Sequence, residues 1–458
     1  MNHKRVVITG MGSISPLGLS TAEFWDGCLL GKQRATQIPD KWLEYAEYSS
    51  RYWIPLPKID FTQLGISRID NMRLDPVSKL SQRAAAEAIA DTGLETLPLD
   101  RRQSMFKLVG VDAARAGVIM GTGIGGLHTT LESHSVHLLN SYRSELEQVL
   151  DKEELDDQVR DALLRLYNRM DCPQRYNPFT VSMIMNNSVS ANIGIRYGCK
   201  GTNKAISVAC ASGTAALGHA FNSIRNGCHD LIISGGAEYK YDETGAVFRG
   251  YDIAGTLAHG FSSPEEANRP FDRRRNGFMF SEGAVAVLVL EELQHALARG
   301  ANIVSEIAAY AETCDAQSIM QPDPEGIQIE RMIRDALRQA DLVENELDYI
   351  NAHGTGTLAN DEMEVGVVQR IFGEGPVVNS TKSLVGHTIG ASGALEAQVA
   401  ALSIRDQKVH GNLNLKDPIS SIRLPGKQES CRVGTVLSHS FAFGGHNCAL
   451  VFKEFTGS

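Results

Sequence analysis

Nowhere does the sequence hold the ~18 consecutive apolar residues that a membrane helix needs, so no passage through a bilayer is expected. Its first apolar run, Val6-Val7-Ile8, breaks at Gly10 and is too short for a secretory signal. Basic residues are the minority, 44 against 54 acidic for a formal net charge of −10. A nucleic-acid binder normally shows a basic excess or stripe, so that class is excluded. Cysteine is sparse, 8 in 458 residues, at positions 28, 172, 199, 210, 228, 314, 431 and 448. None forms a C-x-x-C pair, which argues against a zinc ribbon and against a disulfide framework. The compartment expected is reducing cytosol, with thiols free for chemistry. Charged residues reach only 21% against 43% hydrophobic, the wrong balance for a disordered scaffold.

What is present is material for a large core. The chain is about three times the ~150 residues of an ordinary domain. Short β-prone runs at 6–8, 116–120, 205–208, 231–233, 285–290, 349–350, 377–378 and 449–452 read as buried strands. Helical spacing lies between them: Leu217, Phe221 and Ile224 share a face over 215–225, and Leu395, Val399 and Leu402 share one over 393–406. Strands alternating with helices predict an α/β fold layered around buried sheets. No internal repeat is evident. The acidic segment 144–176 departs from this rhythm. Its Leu155, Val159, Leu163 and Leu166 recur at three and four, which predicts one amphipathic surface helix without chemistry.

Gly121-Thr122-Gly123-Ile124-Gly125-Gly126 follows a strand and fits G-x-G-x-x-G. A dinucleotide fold also needs a second strand ending in an acidic residue ~20 residues on, and none appears. The glycines read instead as a turn pressed beside a buried pocket. A stronger signal is Ser207-Val208-Ala209-Cys210-Ala211-Ser212-Gly213, where a strand ends, small residues turn tightly and a helix begins. This is a nucleophile elbow carrying a thiol. The helix start is expected to lower the thiol pKa and to offer N–H groups to an oxyanion. His353, Lys382 and His387 stand in similar glycine- and hydroxyl-rich turns after strands.

These stretches, with V-x-I-T-G-M-G at 6–12, S-G-G-A-E at 234–238, R-P-F-D-R-R-R-N-G-F at 269–278, N-A-H-G-T-G-T at 351–357, S-T-K-S-L-V-G-H at 380–387 and S-F-A-F-G-G-H-N at 440–447, resemble the β-ketoacyl-acyl-carrier-protein synthases. That family belongs to the thiolase superfamily, Cys-His-His class, and the resemblance is nearest to its type II elongating enzymes. It implies a duplicated five-layer αβαβα sandwich, with a nucleophile half over 1–259 and a histidine half over 260–458. Cys210 would accept the acyl group, and His353 and His387 would act on the malonyl thioester. Lys382 would orient the site with Glu364 as its carboxylate partner. Thr355 and Thr357 match residues that bond the phosphopantetheine arm. Phe443, beside Phe441, matches an aromatic gate whose N–H joins that of Cys210 in the oxyanion hole. Relatives carry F-G-F-G-G there; Ala442 in this chain implies a stiffer gate. Ile124 matches a pocket residue that sorts acyl lengths, and Arg68 and Arg73 match a basic platform for acyl carrier protein. The family binds no metal or cofactor of its own, phosphopantetheine arriving on the carrier protein. A homodimer is implied, with a heterodimer carrying a chain-length-factor-like subunit as the variant. A type II polyketide or polyene synthase shares every catalytic motif and stays open, as does a non-condensing partner subunit that only binds carrier protein.

Overall fold

The computed structural model describes residues 3–100, 104–152, 155–169 and 176–457; Cys172 lies outside them. Ten strands form one continuous sheet: β1 (Val6–Ile14), β2 (Ala116–Gly121), β3 (Asn203–Ile206), β4 (Leu231–Tyr239), β5 (Gly283–Glu292), β6 (Ser305–Cys314), β7 (Tyr349–Asn351), β8 (Val377–Asn379), β9 (Thr435–Ala442) and β10 (His446–Lys453). Their order is β8-β7-β9-β10-β6-β1-β5-β4-β2-β3. Each set of five follows one rule: third strand, second, fourth, fifth, first. The first three of each order are mutually parallel, the fifth is antiparallel to its neighbours, and β1 meets β6 antiparallel at the seam. The chain is therefore a topological duplication that the sequence conceals.

Helices complete five layers. On the outside of the first set lie α1 (Pro76–Asp91), against β1 and β5, and α4 (Ser188–Tyr197), against β2. Between the sets lie α5 (Ser212–Arg225) and α8 (Ser392–Asp406), packed on each other. Outside the second set lie α6 (Ile327–Gln339), against β6 and β10, and α7 (Leu358–Phe372) beside it. Strand β5 shows why the sequence folds so. Its Ala284, Ala286, Leu288 and Leu290 face the central core, and Val285, Val287 and Val289 face the outer one. Side chains alternate across a strand, and a strand covered on both faces is apolar throughout.

Three expectations change. Strand β5 pairs within the first set although it follows residue 259, so the repeat divides between 298 and 305 and not at 259–260. Strand β3 ends at Ile206, which leaves Val208 in the elbow. The acidic segment is no single helix: α2 (Leu127–Leu150) starts directly after the glycine turn, and α3 (Asp157–Arg169) follows a break. Arg160 secures that break by donating to the carbonyls of Leu150 at 2.7 Å and Lys152 at 2.9 Å, carbonyls near a helix end that lack intrahelical partners. Among the described residues no helix is long and apolar enough to cross a membrane.

Candidate active site

Cys210 occupies a single 3-10 turn, Ala209–Ala211, between β3 and α5. Ala209 enters it at φ +47°, a left-handed conformation uncommon outside glycine that costs about 1–3 kcal/mol where the surroundings impose it. Ser212 closes the elbow: its hydroxyl accepts from the Val208 N–H at 2.9 Å and donates to the Ala209 carbonyl at 2.7 Å. The second half repeats the device. The turn Ile389–Ala391 enters at φ +50° and opens α8, with Gly390 at the position that Cys210 holds in the first. The two helix starts touch so closely that a Cβ on Gly213 would lie 2.8 Å from Ala394 N, and one on Gly393 1.9 Å from Thr214 Oγ1. Small residues after the cysteine thus have a packing cause.

The other polar groups arrive from the ends of the second set's parallel strands, His353 after β7 and Lys382 and His387 after β8. His387 Nε2 lies 3.0 Å from Cys210 Sγ. Its Nδ1 accepts the Ile389 N–H at 3.3 Å, so the neutral ring carries its proton on Nε2, facing the sulfur. Lys382 sets His353 the same way, its Nζ donating to Nδ1 at 3.2 Å and to the His353 carbonyl at 2.7 Å. The two rings stand 5.7 Å apart, nearly perpendicular. Burial, followed by the charge of Lys382, pushes both far below the ordinary histidine value. Two neutral N–H donors therefore converge beside one thiol.

That thiol is not activated in the resting state. Burial pushes it up to about 11, although Lys382, Lys240 and the Phe443 amide all pull it down. The lowered pKa expected from the helix start is overridden because Cys210 is 4% exposed, and desolvation disfavours the charged form. The N–H groups of His387 and Phe443 are placed to receive charge when it develops.

Glu364 is not the partner of Lys382. That role falls to Glu396 on α8, whose Oε1 accepts from Lys382 Nζ at 2.5 Å with both groups buried. Glu364, midway along α7, accepts the backbone N–H of His353 at 2.7 Å and of Gly354 at 2.8 Å, and a bond from His439 Nε2 at 2.6 Å. Burial raises its pKa, but the His439 and backbone bonds outweigh it and leave the carboxyl below its ordinary value. It fixes the His353 loop from behind. A fully buried charge left alone costs about 3–5 kcal/mol, so Glu396→Ala is expected to lose about that much unfolding free energy in urea. The double variant Lys382→Met/Glu396→Leu should regain most of it.

A cavity of about 520 Å³ opens onto Cys210, His353 and His387. Thr355 and Thr357 line it, their hydroxyls 2.9 Å apart. Phe441 and Phe443 line it too, with the Phe441 ring 5.5 Å from His353. Ala442 ends β9, paired with His446, so its methyl sits in ordinary strand backbone. The left-handed hinge positions are Gly444 and Gly445, at φ +88° and +78°. Ile124 is not in this cavity. Its side chain is 47% exposed, because the turn presents its backbone inward: the N–H groups of Gly123 and Ile124 donate to Glu238 at 2.7 and 3.4 Å. A buried carboxylate thus fills the anion seat that a cofactor phosphate would need. Arg68 and Arg73 lie on the short helix Arg68–Arg73, Arg68 exposed and Arg73 paired with the buried Asp70 at 2.8 Å. Glu396, His439, Glu238 and Lys240 escaped the sequence reading. The available signal was a charged or polar residue inside an otherwise buried element.

A buried thiol beside two neutral histidines, at the centre of a duplicated α/β sandwich, defines the class, a thiolase-like enzyme built for acyl transfer. Residues 3–296 match the "Beta-ketoacyl synthase, N-terminal domain" and residues 304–416 the "Beta-ketoacyl synthase, C-terminal domain". The chain belongs to the β-ketoacyl synthase family. It is 34% identical to 3-oxoacyl-[acyl-carrier-protein] synthase 2 of Synechocystis sp., over 99% of each chain. The crystal structure of a β-ketoacyl synthase from Burkholderia phymatum matches 99% of this chain and 100% of that one at TM-score 0.79 and 28% identity. A type II polyketide ketosynthase solved with its acyl-carrier protein matches the same shares at TM-score 0.77 and 25% identity.

Proposed function

We propose that the chain condenses an acyl group held on Cys210 with malonyl-acyl carrier protein, giving a 3-oxoacyl-acyl carrier protein and carbon dioxide in fatty-acid chain elongation. The observation that carries this is the fixed Nε2–H form of both histidines around one cavity. Cys210 Sγ attacks the acyl thioester, the C–S bond to the carrier breaks, and the thiol proton ends on the departing phosphopantetheine thiol. Malonyl-carrier protein then loses carbon dioxide, and the electrons of that C–C bond become an enolate. Its oxygen accepts N–H bonds from His353 and His387, preorganised and sheltered from water. The enolate carbon attacks the acyl-cysteine, whose developing oxyanion is met by the Cys210 and Phe443 amides. Cys210 leaves as thiolate and takes up one proton. Covalent capture divides one difficult step into two easier ones. The Thr355 and Thr357 hydroxyls serve the phosphopantetheine arm along the cavity wall.

Incubation with acyl- and malonyl-carrier protein tests the reading: stoichiometric 3-oxoacyl product and carbon dioxide support it, and binding without either product makes the chain a scaffold. Likeness to polyketide ketosynthases keeps a second reading, the same chemistry on a polyketide or polyene chain. Competition between saturated, unsaturated and polyene acyl carriers separates the two. For docking, Arg68 carries the exposed charge while Arg73 is tied to Asp70. Arg68→Glu is expected to raise KM for carrier-bound substrate, leave kcat, and flatten the salt dependence of KM; an equal loss on a free pantetheine substrate would mean misfolding instead. A homodimer is supported by β3, which among the described residues ends the sheet bonded only to β2 and so offers an edge to a second copy. Its seven described cysteines are all free, which suits the cytosol.

A further inference from the structure

Lys240 is 2% exposed just beyond the end of β4, and no step above uses it. Its Nζ donates to the His387 carbonyl at 2.8 Å and stands 4.4 Å from the Phe280 ring centroid and 6.0 Å from that of Tyr251. A buried ammonium is expensive unless paired, yet its one protein acceptor among the described residues is that carbonyl. Glu238, two residues earlier and so on the same side, grips the same loop farther along by accepting the Gly390 N–H at 3.0 Å. The loop that carries His387 is therefore held from β4 at two points. The first of these points is the backbone of His387, whose Nε2 touches Cys210.

We propose that Lys240 is a positioning residue, clamping His387 against Cys210 and adding a second positive charge, beside that of Lys382, to stabilise the Cys210 thiolate. This rests on the reading of Cys210 as the nucleophile. The titratable and charged groups around the sulfur are His387 and Lys382 from the β8–α8 connection, His353 from the loop after β7, Glu238 from β4 with Lys240 just beyond it, and Tyr251 from the helix Ala246–Ile253. Both lysines favour the thiolate and Glu238 opposes it. Burial holds Tyr251 above its ordinary value, and the histidines stay neutral. Burial lowers the Lys240 pKa, and the charge of Glu238 opposes that shift.

Alkylation of Cys210 by iodoacetamide at neutral pH, followed by peptide mass mapping, reads the reactive thiolate directly. Lys240→Met is expected to slow that alkylation about ten-fold. In condensation it should lower kcat and leave KM for malonyl-carrier protein. Lys240→Arg keeps the charge and should keep the rate near that of the unaltered chain. Glu238→Gln removes the opposing charge and should raise the rate. An unchanged rate in folded Lys240→Met, or a Lys240→Arg rate lowered as far as that of Lys240→Met, overturns the proposal. If Lys240→Met does not fold, Glu238→Gln decides, and an unchanged or lowered rate there overturns it equally. Alkylation needs no condensing activity. A chain with these rate changes but no 3-oxoacyl product would end the proposed function and leave the role of Lys240 standing.

Discussion

Cys210→Ala is expected to abolish transfer of the acyl group and condensation, a loss of at least ~10⁴-fold, since no other group can hold the covalent intermediate. The fold should survive, because alanine is smaller than cysteine and the left-handed position is Ala209, which is unchanged. Circular dichroism and melting temperature check that point. Malonyl decarboxylation should continue in this variant, as the enolate is served by histidines and not by sulfur. Peptide mass mapping of the unaltered chain after acylation should find the acyl group on Cys210 alone. An acyl group on Cys228 or Cys314, the exposed thiols among the described residues, would sink the assignment.

The second large effect separates the two histidines. Losing one oxyanion donor typically costs ~10²–10³ in rate, so His353→Ala and His387→Ala should each slow malonyl decarboxylation by about that factor. They should differ in the first half-reaction. His387 touches Cys210 Sγ, so its loss should also slow acylation, whereas loss of His353 should leave acylation nearly intact. Normal decarboxylation in either variant would remove that ring from the mechanism. Both rings are held far below 6.5, so decarboxylation should show no acid limb near the ordinary histidine value. The same depression has a cost in stability. Below about pH 6.5 the unfolded chain binds protons that the folded rings refuse. Stability contributed by these sites is therefore present above that pH and lost as pH falls, which urea midpoints across mildly acid pH would register.

Much of this site is legible in the sequence because its residues sit in glycine-rich turns just after apolar strands. Cys210, His353, Lys382 and His387 are all of that kind, and the fold gathers them as the resemblance implies. What stays hidden depends on distances through space. Glu364 and Glu396 both precede or occupy helices in the second half, and only the folded connection from β8 to α8 shows which meets Lys382. The expected lowering of the thiol pKa fails because helix start and burial act in opposite directions, and sequence does not say how deeply a turn is buried. Strand β9 was missed because Ser438, His439 and Ser440 make it look polar; all three are buried. The repeat is invisible for a related reason. Its two halves share strand order and elbow geometry while Cys210 in one faces Gly390 in the other.

The seam between the halves also constrains how the molecule is made. Val6 is bonded within the sheet beside Glu292 on one side and Ile307 on the other, and contacts so distant in sequence slow folding. A ribosome adding roughly 5–20 residues per second completes β5 on the order of a quarter-minute to a minute after β1. Throughout that interval an apolar strand waits without neighbours on either edge, the condition that favours aggregation. The first strand to be synthesised waits for the last strand of its own set of five. Soluble yield should therefore depend more on the rate of translation and on chaperone supply than on the stability of the finished fold.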